Sequence, residues 1–151
     1  MKKLIAVLLL SVGFVYAEEQ KHQWIGIQDG GSSSPSIFID KLSIKRTKET
    51  ISFTGSTQLP PSIRVKEFDD QNGKTIKLAK PAAIIIYRTT LNCLLELYTK
   101  TTTDYYDTKW KLIFSYRPSL DGETFTVKPG YDTTYMFMYL CHKKLSPKSE
   151  T

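Results

Sequence analysis

Asp132-Thr133-Thr134-Tyr135-Met136-Phe137-Met138-Tyr139-Leu140-Cys141 decides the fold, because here the apolar residues cease to alternate and take up a helical period. Thr134, Phe137, Met138, Cys141 and, beyond the quoted stretch, Leu145 lie three or four apart and form one stripe. Asp132 is placed to cap the amino terminus of such a helix. Lys143 and Lys144 fall near its carboxy-terminal end, where cations suit the helix dipole.

Upstream of this segment the reading is strands. The most apolar part follows Pro81, from Ala82 to Tyr87 and from Leu91 to Tyr98, and is rich in β-branched and aromatic residues. One strand from Ala82 to Tyr106 would be too long, so a break near Asn92-Cys93 is expected, with the halves paired. Trp110, Leu112, Phe114 and Tyr116 alternate as a further strand closed by Pro118 and Asp121-Gly122; Phe125 and Val127 make a short piece before Pro129-Gly130. Toward the amino terminus, Trp24 to Ile27 is a short strand stopped by Asp29-Gly30-Gly31, and Ile37 to Asp40 is a second. Leu42, Ile44 and Arg46, then Ile51, Phe53 and Gly55, alternate as a hairpin with one buried face, ended by Pro60-Pro61. Ile63, Val65, Asn72-Gly73, Thr75, Ile76 and Leu78 suggest another excursion around a tight turn. Antiparallel strands followed by one late helix predict an α+β domain, the helix laid on one face of a sheet.

The chain has 151 residues, 40% hydrophobic and 24% charged, with two cysteines and a net charge of +6, which is the composition of one globular domain. Lys2 and Lys3 lead into the apolar run Leu4 to Leu10 and then Val15-Tyr16-Ala17, so residues 1–17 are expected to be a cleaved secretory signal and 18–151 the single domain. No later run approaches the length of a membrane helix, and no transmembrane segment is expected. Export to the periplasm or beyond makes a Cys93–Cys141 bridge the expected state of the two cysteines. As the two lie 48 positions apart, the chain-entropy model assigns it roughly 4 kcal/mol.

No catalytic constellation stands out. His22 and His142 have no plausible nucleophile in sequence context, no phosphate-binding loop exists, and neither cofactor nor metal is expected. Asp69-Asp70-Gln71-Asn72-Gly73 has the flavour of a calcium loop, but Phe68 would stand at its first ligand position and Ala79 at its twelfth, so it reads as a solvated turn. Tyr105-Tyr106-Asp107 is either a small recognition patch or, more ordinarily in a strand, one core and one surface aromatic. Lys143, Lys144 and Lys148 read as a solvated terminus, and export argues against a nucleic-acid partner.

Leu91-Asn92-Cys93, then Thr103-Asp104-Tyr105-Tyr106-Asp107 and Trp110, then Pro129, Asp132-Thr133-Thr134 and Cys141 resemble, in order, the bacterial surface-adhesin protein E family. Ile37-Phe38-Ile39-Asp40 with Ser43-Ile44 resembles that family's amino-terminal strand and turn. The resemblance implies an antiparallel sheet of about six strands with a carboxy-terminal helix tethered by a disulfide. It also implies binding to host extracellular-matrix proteins, including vitronectin and laminin, and a tendency to homodimerise. Carried onto this chain, the contacts would come from the hairpin through Arg88 and Lys100 and from Tyr105 and Tyr106. Two departures matter. The family's adhesin is a lipoprotein, whereas no cysteine adjoins Ala17-Glu18; and the family's matrix-binding stretch is basic, whereas residues 82–102 contain only Arg88 and Lys100 as cations. An adhesin-like binding protein and a periplasmic envelope domain that docks to or inhibits another exported protein are the two readings.

Overall fold

The computed structural model describes residues 22–119, 121–130 and 132–142. The expected signal at 1–17, the cleavage site, and Lys143, Lys144, Leu145 and Lys148 lie outside the described residues. Ten strands precede one helix: β1 (Trp24–Gln28), β2 (Ser36–Asp40), β3 (Lys45–Arg46), β4 (Thr50–Gln58), β5 (Val65–Asp69), β6 (Thr75–Ala82), β7 (Ile84–Asn92), β8 (Leu97–Tyr106), β9 (Leu112–Tyr116), β10 (Glu123–Thr126) and α1 (Asp132–Cys141).

The main sheet is antiparallel, in the order β1-β2-β4-β7-β8-β10, with β3 also beside β4 and β9 also beside β8. It therefore has eight strands where about six were expected. The cause is the length of β4 and β8, nine and ten residues, each of which carries two short strands end to end along one edge. On β8, Thr103 to Tyr106 pairs with β9 and Leu97 to Lys100 pairs with β10. The expected break in the apolar run is a hairpin. β7 and β8 pair from Ile84↔Tyr106 to Asn92↔Leu97, and Asn92 Oδ1 accepts the amides of Leu94 (3.0 Å) and Leu95 (2.9 Å) to close the turn.

β5 and β6 form a separate two-stranded sheet around the Asn72-Gly73 turn, where Gly73 has φ +74° and Asp70 Oδ1 accepts the amides of Asn72 (2.8 Å) and Lys74 (2.9 Å). Trp110, expected at the start of a strand, instead sits in a turn with φ +61°. Asp107 Oδ1 accepts the amides of Lys109 (2.8 Å) and Lys111 (3.0 Å), and this local closure holds the chain out of the ladder until Leu112.

The helix lies against one face of the sheet, but not by the stripe read from its sequence. Thr133, Met136, Phe137 and Leu140 are buried, while Met138 is 41% exposed. Residues 135 to 140 are apolar or aromatic all round, so period alone could not choose the inward face. Cys141 bonds to Cys93 across a Cα–Cα distance of 5.6 Å and stands at the rim of the buried stripe. Arg46 Nη1 caps the helix by donating to the Leu140 carbonyl (3.0 Å). Asp132, expected as the helix cap, accepts from Thr57 Oγ1 at 2.9 Å and so ties the helix start to β4. The core beneath joins Ile37, Ile39, Ile51, Phe53, Tyr87, Leu91 and Val127 to the three apolar helix residues. Each large side chain so buried contributes about 1.5–3 kcal/mol.

Candidate binding face

Cross-strand partners project to the same side of a sheet, so the pairing register assigns every residue of β4, β7 and β8 to a face. Ile51, Phe53 and Gly55 of β4 pair with Leu91, Thr89 and Tyr87 of β7, and this face carries the helix. The β5–β6 sheet covers the same face further along, where Phe68 stacks on Tyr105 (centroids 4.8 Å apart) and packs beside Phe114 and Tyr116. The opposite face is built from Ser52↔Thr90, Thr54↔Arg88, Arg88↔Thr102 and Ile86↔Asp104, and it is polar.

That polar face forms an open cleft of about 600 Å³, within the range of ligand sites. A bulge shapes its floor: Arg88 pairs with Thr102 but Thr89 pairs with Lys100, so Thr101 is the extra residue, and both Thr101 and Thr102 line the cleft. At one rim the Asp40 carboxylate bonds His22 Nδ1 (2.8 Å) and accepts the amides of Gln23 (2.9 Å) and Leu42 (3.1 Å). Ser43 Oγ links this rim to β4 by donating to the Asp40 carbonyl and accepting from the Thr54 amide, both at 2.7 Å.

The electrostatics of the cleft are set by which charges are already engaged. Burial pushes the Asp40 carboxyl up, but the bonds from His22, Gln23 and Leu42 outweigh it and hold the group below its ordinary value. Asp104 accepts a hydrogen bond from the Ser115 hydroxyl. Arg88 is exposed and has no carboxylate partner among the described residues. Arg117, beside the cleft rather than lining it, likewise has none among the described residues; its Nη1 donates to Thr102 Oγ1 at 3.0 Å, and Thr102 is also the cross-strand partner of Arg88. Tyr106 lies at the end of the cleft, its phenol pushed up by burial and by Asp104, with Arg88 opposing.

The structure does not bring the four residues expected to make contacts onto one surface. Arg88 and Tyr106 both line the cleft. Lys100, paired with Thr89, is on the helix-bearing face, where its Nζ lies 5.4 Å from the Tyr87 ring centroid and 5.7 Å from that of Tyr98. Burial lowers its pKa, with Asp132 and Glu123 opposing. Tyr105 is 7% exposed under Phe68, and burial pushes its phenol up to about 12. Adjacent residues of a strand point to opposite sides, and the β5–β6 sheet closes over one of them, so Tyr105-Tyr106 is one core and one surface aromatic. Arg117 and Thr102 were not singled out from sequence as site residues, and Asp104 was named only within the resembling motif. The available signal was the polar half of the alternation, Ser52, Thr54 and Ser56 between apolar partners.

Among the described residues no group of three histidine, cysteine or acidic side chains could hold a metal ion, and no helix is long and apolar enough to cross a membrane. The class defined by these observations is an α+β domain with one polar sheet face open and a disulfide-tethered helix on the other. No protein-family model and no curated protein matches the chain. Among solved structures it is similar to Haemophilus influenzae protein E: crystal form II at 18% identity, TM-score 0.47, covering 70% of this chain and 80% of that one. The selenomethionine form of that protein is 16% identical at TM-score 0.49, covering 80% and 87%, and protein E of non-typeable H. influenzae is 17% identical at TM-score 0.45, covering 79% and 75%.

Proposed function

We propose that this chain is an exported, non-enzymatic binding protein of adhesin type, whose cleft face around Arg88 and Tyr106 meets a partner protein, with vitronectin and laminin as the candidates. The observation that carries this reading is the asymmetry of the sheet: one face holds both the helix and the β5–β6 sheet, while the other is a concave polar surface holding the Arg88 guanidinium, which has no carboxylate partner among the described residues. Support comes also from the ordered motif resemblance along the sequence and from the disulfide, a bond of oxidising compartments. Of the four side chains first expected to make contacts, Arg88 and Tyr106 are kept; Lys100 and Tyr105 serve as controls. The test is binding of purified mature protein to immobilised vitronectin and laminin, with Arg88→Ala/Tyr106→Ala beside Lys100→Ala/Tyr105→Phe. Saturable binding weakened only by the first pair supports the reading, and no binding to either protein overturns it.

One observation favours the second reading, a periplasmic domain that docks to another exported protein. Leu94 and Leu95 at the β7–β8 turn are 79% and 60% exposed, and Tyr135, Met138 and Tyr139 line the outer side of α1. Antibody labelling of intact cells separates the two: surface exposure favours the adhesin, and labelling only after the outer membrane is opened favours the envelope partner. Light scattering of the purified protein decides whether it forms the homodimer that the resemblance implies.

A further inference from the structure

We infer that the cleft takes an acidic saccharide, with a carboxylate or sulfate held between Arg88 and Arg117. The inference adopts the face proposed above and adds the chemistry of what binds there.

The two carboxylates of the cleft are hydrogen-bonded but remain anionic, and neither pairs with an arginine among the described residues. Asp40 is committed to His22 and two backbone amides, and Asp104 accepts from Ser115. Arg88, which lines the cleft, and Arg117, beside it, have no carboxylate partner among the described residues, and Thr102 is the cross-strand partner of the first and the hydrogen-bond partner of the second. Two planar cations issuing from either side of Thr102 provide fork-shaped donors for a carboxylate or sulfate, and Lys45 adds a cation in the cleft lining.

The rest of the surface argues for a sugar and against a peptide. β4, β7 and β8 are interior strands, so most amides and carbonyls of the floor are spent on the ladder and only the short unpaired stretch at the Thr101 bulge could meet a peptide backbone. What it presents instead is hydroxyls at short spacing, with Ser52 and Thr90 bonded to each other at 2.9 Å and Thr54 beside Arg88, together with the spare acceptor capacity of Asp104. That suits a ligand that is itself a dense array of hydroxyls. Tyr106, at the end of the same cleft, supplies an aromatic surface for the C–H face of a sugar ring.

The experiment is calorimetric titration of the mature chain with a hyaluronan tetrasaccharide, a sulfated heparin tetrasaccharide, neutral chitotetraose and hexaglutamate, at about 50 and about 300 mM NaCl. At least one acidic saccharide should bind saturably and more weakly at the higher salt, and which one binds separates carboxylate from sulfate. Arg88→Ala and Arg117→Ala, each checked for an unchanged circular dichroism spectrum, should each weaken it at least about tenfold. The inference is overturned if neither acidic saccharide binds, if chitotetraose or hexaglutamate binds as tightly, or if both variants bind like the wild type. Retained vitronectin or laminin binding without saccharide binding would sink this inference and leave the partner proposal standing; the reverse pattern would do the opposite.

Discussion

The ring of Tyr87 lies directly over Gly55, its partner across β4 and β7: a Cβ placed on Gly55 would stand 2.5 Å from Cε2 of that ring. The tyrosine cannot easily swing away. It is 5% exposed, with its hydroxyl 3.2 Å from Met136 Sδ on the helix and 3.4 Å from Thr57 Oγ1. Gly55→Ala should therefore act as overpacking, lowering stability by about 1–3 kcal/mol in urea titration. Near-wild-type stability would mean that the helix and sheet can part to admit a methyl group.

The disulfide ties the β7–β8 turn to the last helical residue, and a ten-residue helix is too short to persist alone in water. Cys141→Ser should lower stability by about 2–5 kcal/mol and reduce the helical signal in circular dichroism. Mass spectrometry of the unreduced mature protein should find no free thiol.

Phe68 packs the β5–β6 sheet on the main sheet by meeting Tyr105, Phe114 and Tyr116, with Gln71 bonded to Tyr116 and Ser119 beside it. Phe68 is only partly buried, so Phe68→Ala should cost less than the roughly 3–5 kcal/mol of a fully buried phenylalanine. Amide exchange in β5 and β6 should accelerate well before that in β4 and β7. Uniform acceleration would show that the two sheets unfold as one.

Asp40 titrates below its ordinary value in the folded protein, so it binds fewer protons there than in the unfolded chain. Its contribution is present above the unfolded carboxyl pKa and is lost as the pH falls through the lower folded value. Asp40→Asn should lower stability at neutral pH and flatten the loss of stability below about pH 4. Parallel acid limbs for variant and wild type would refute the assignment.

Residues 1–17 are expected to be removed during export. Mature protein recovered from the periplasm or medium should begin at Glu18. An uncleaved chain, or one with a lipidated amino terminus, would contradict this.

The β7–β8 hairpin was legible because the apolar run exceeded any reasonable strand length and contained Asn92, whose side chain closes the turn. β3 and β10 were harder to read. The first is two residues long, and neither Lys45-Arg46 nor Glu123 to Thr126 has a buried face to impose a period; each forms because a long neighbour leaves an edge unpaired. The binding face was half legible. The resemblance pointed to Arg88 and Tyr106, but no local pattern could associate Arg88 with Arg117, which is brought to Thr102 by the separate pairing of β9 with β8.

The order of strands and helix, the apolar residues available to a core and the chemistry available for a bridge between Cys93 and Cys141 follow from period, turn residues and composition, all of which act over a few neighbouring residues. Which side of α1 faces inward, which of Tyr105 and Tyr106 is buried, and which charges stay free are decided by contacts between residues tens of positions apart: Tyr87 with Met136, Phe68 with Tyr105, Arg117 with Thr102. A helix apolar on every side and two adjacent tyrosines in a strand have no local preference between their faces. The element that packs against them makes the choice, because only one side can be removed from water.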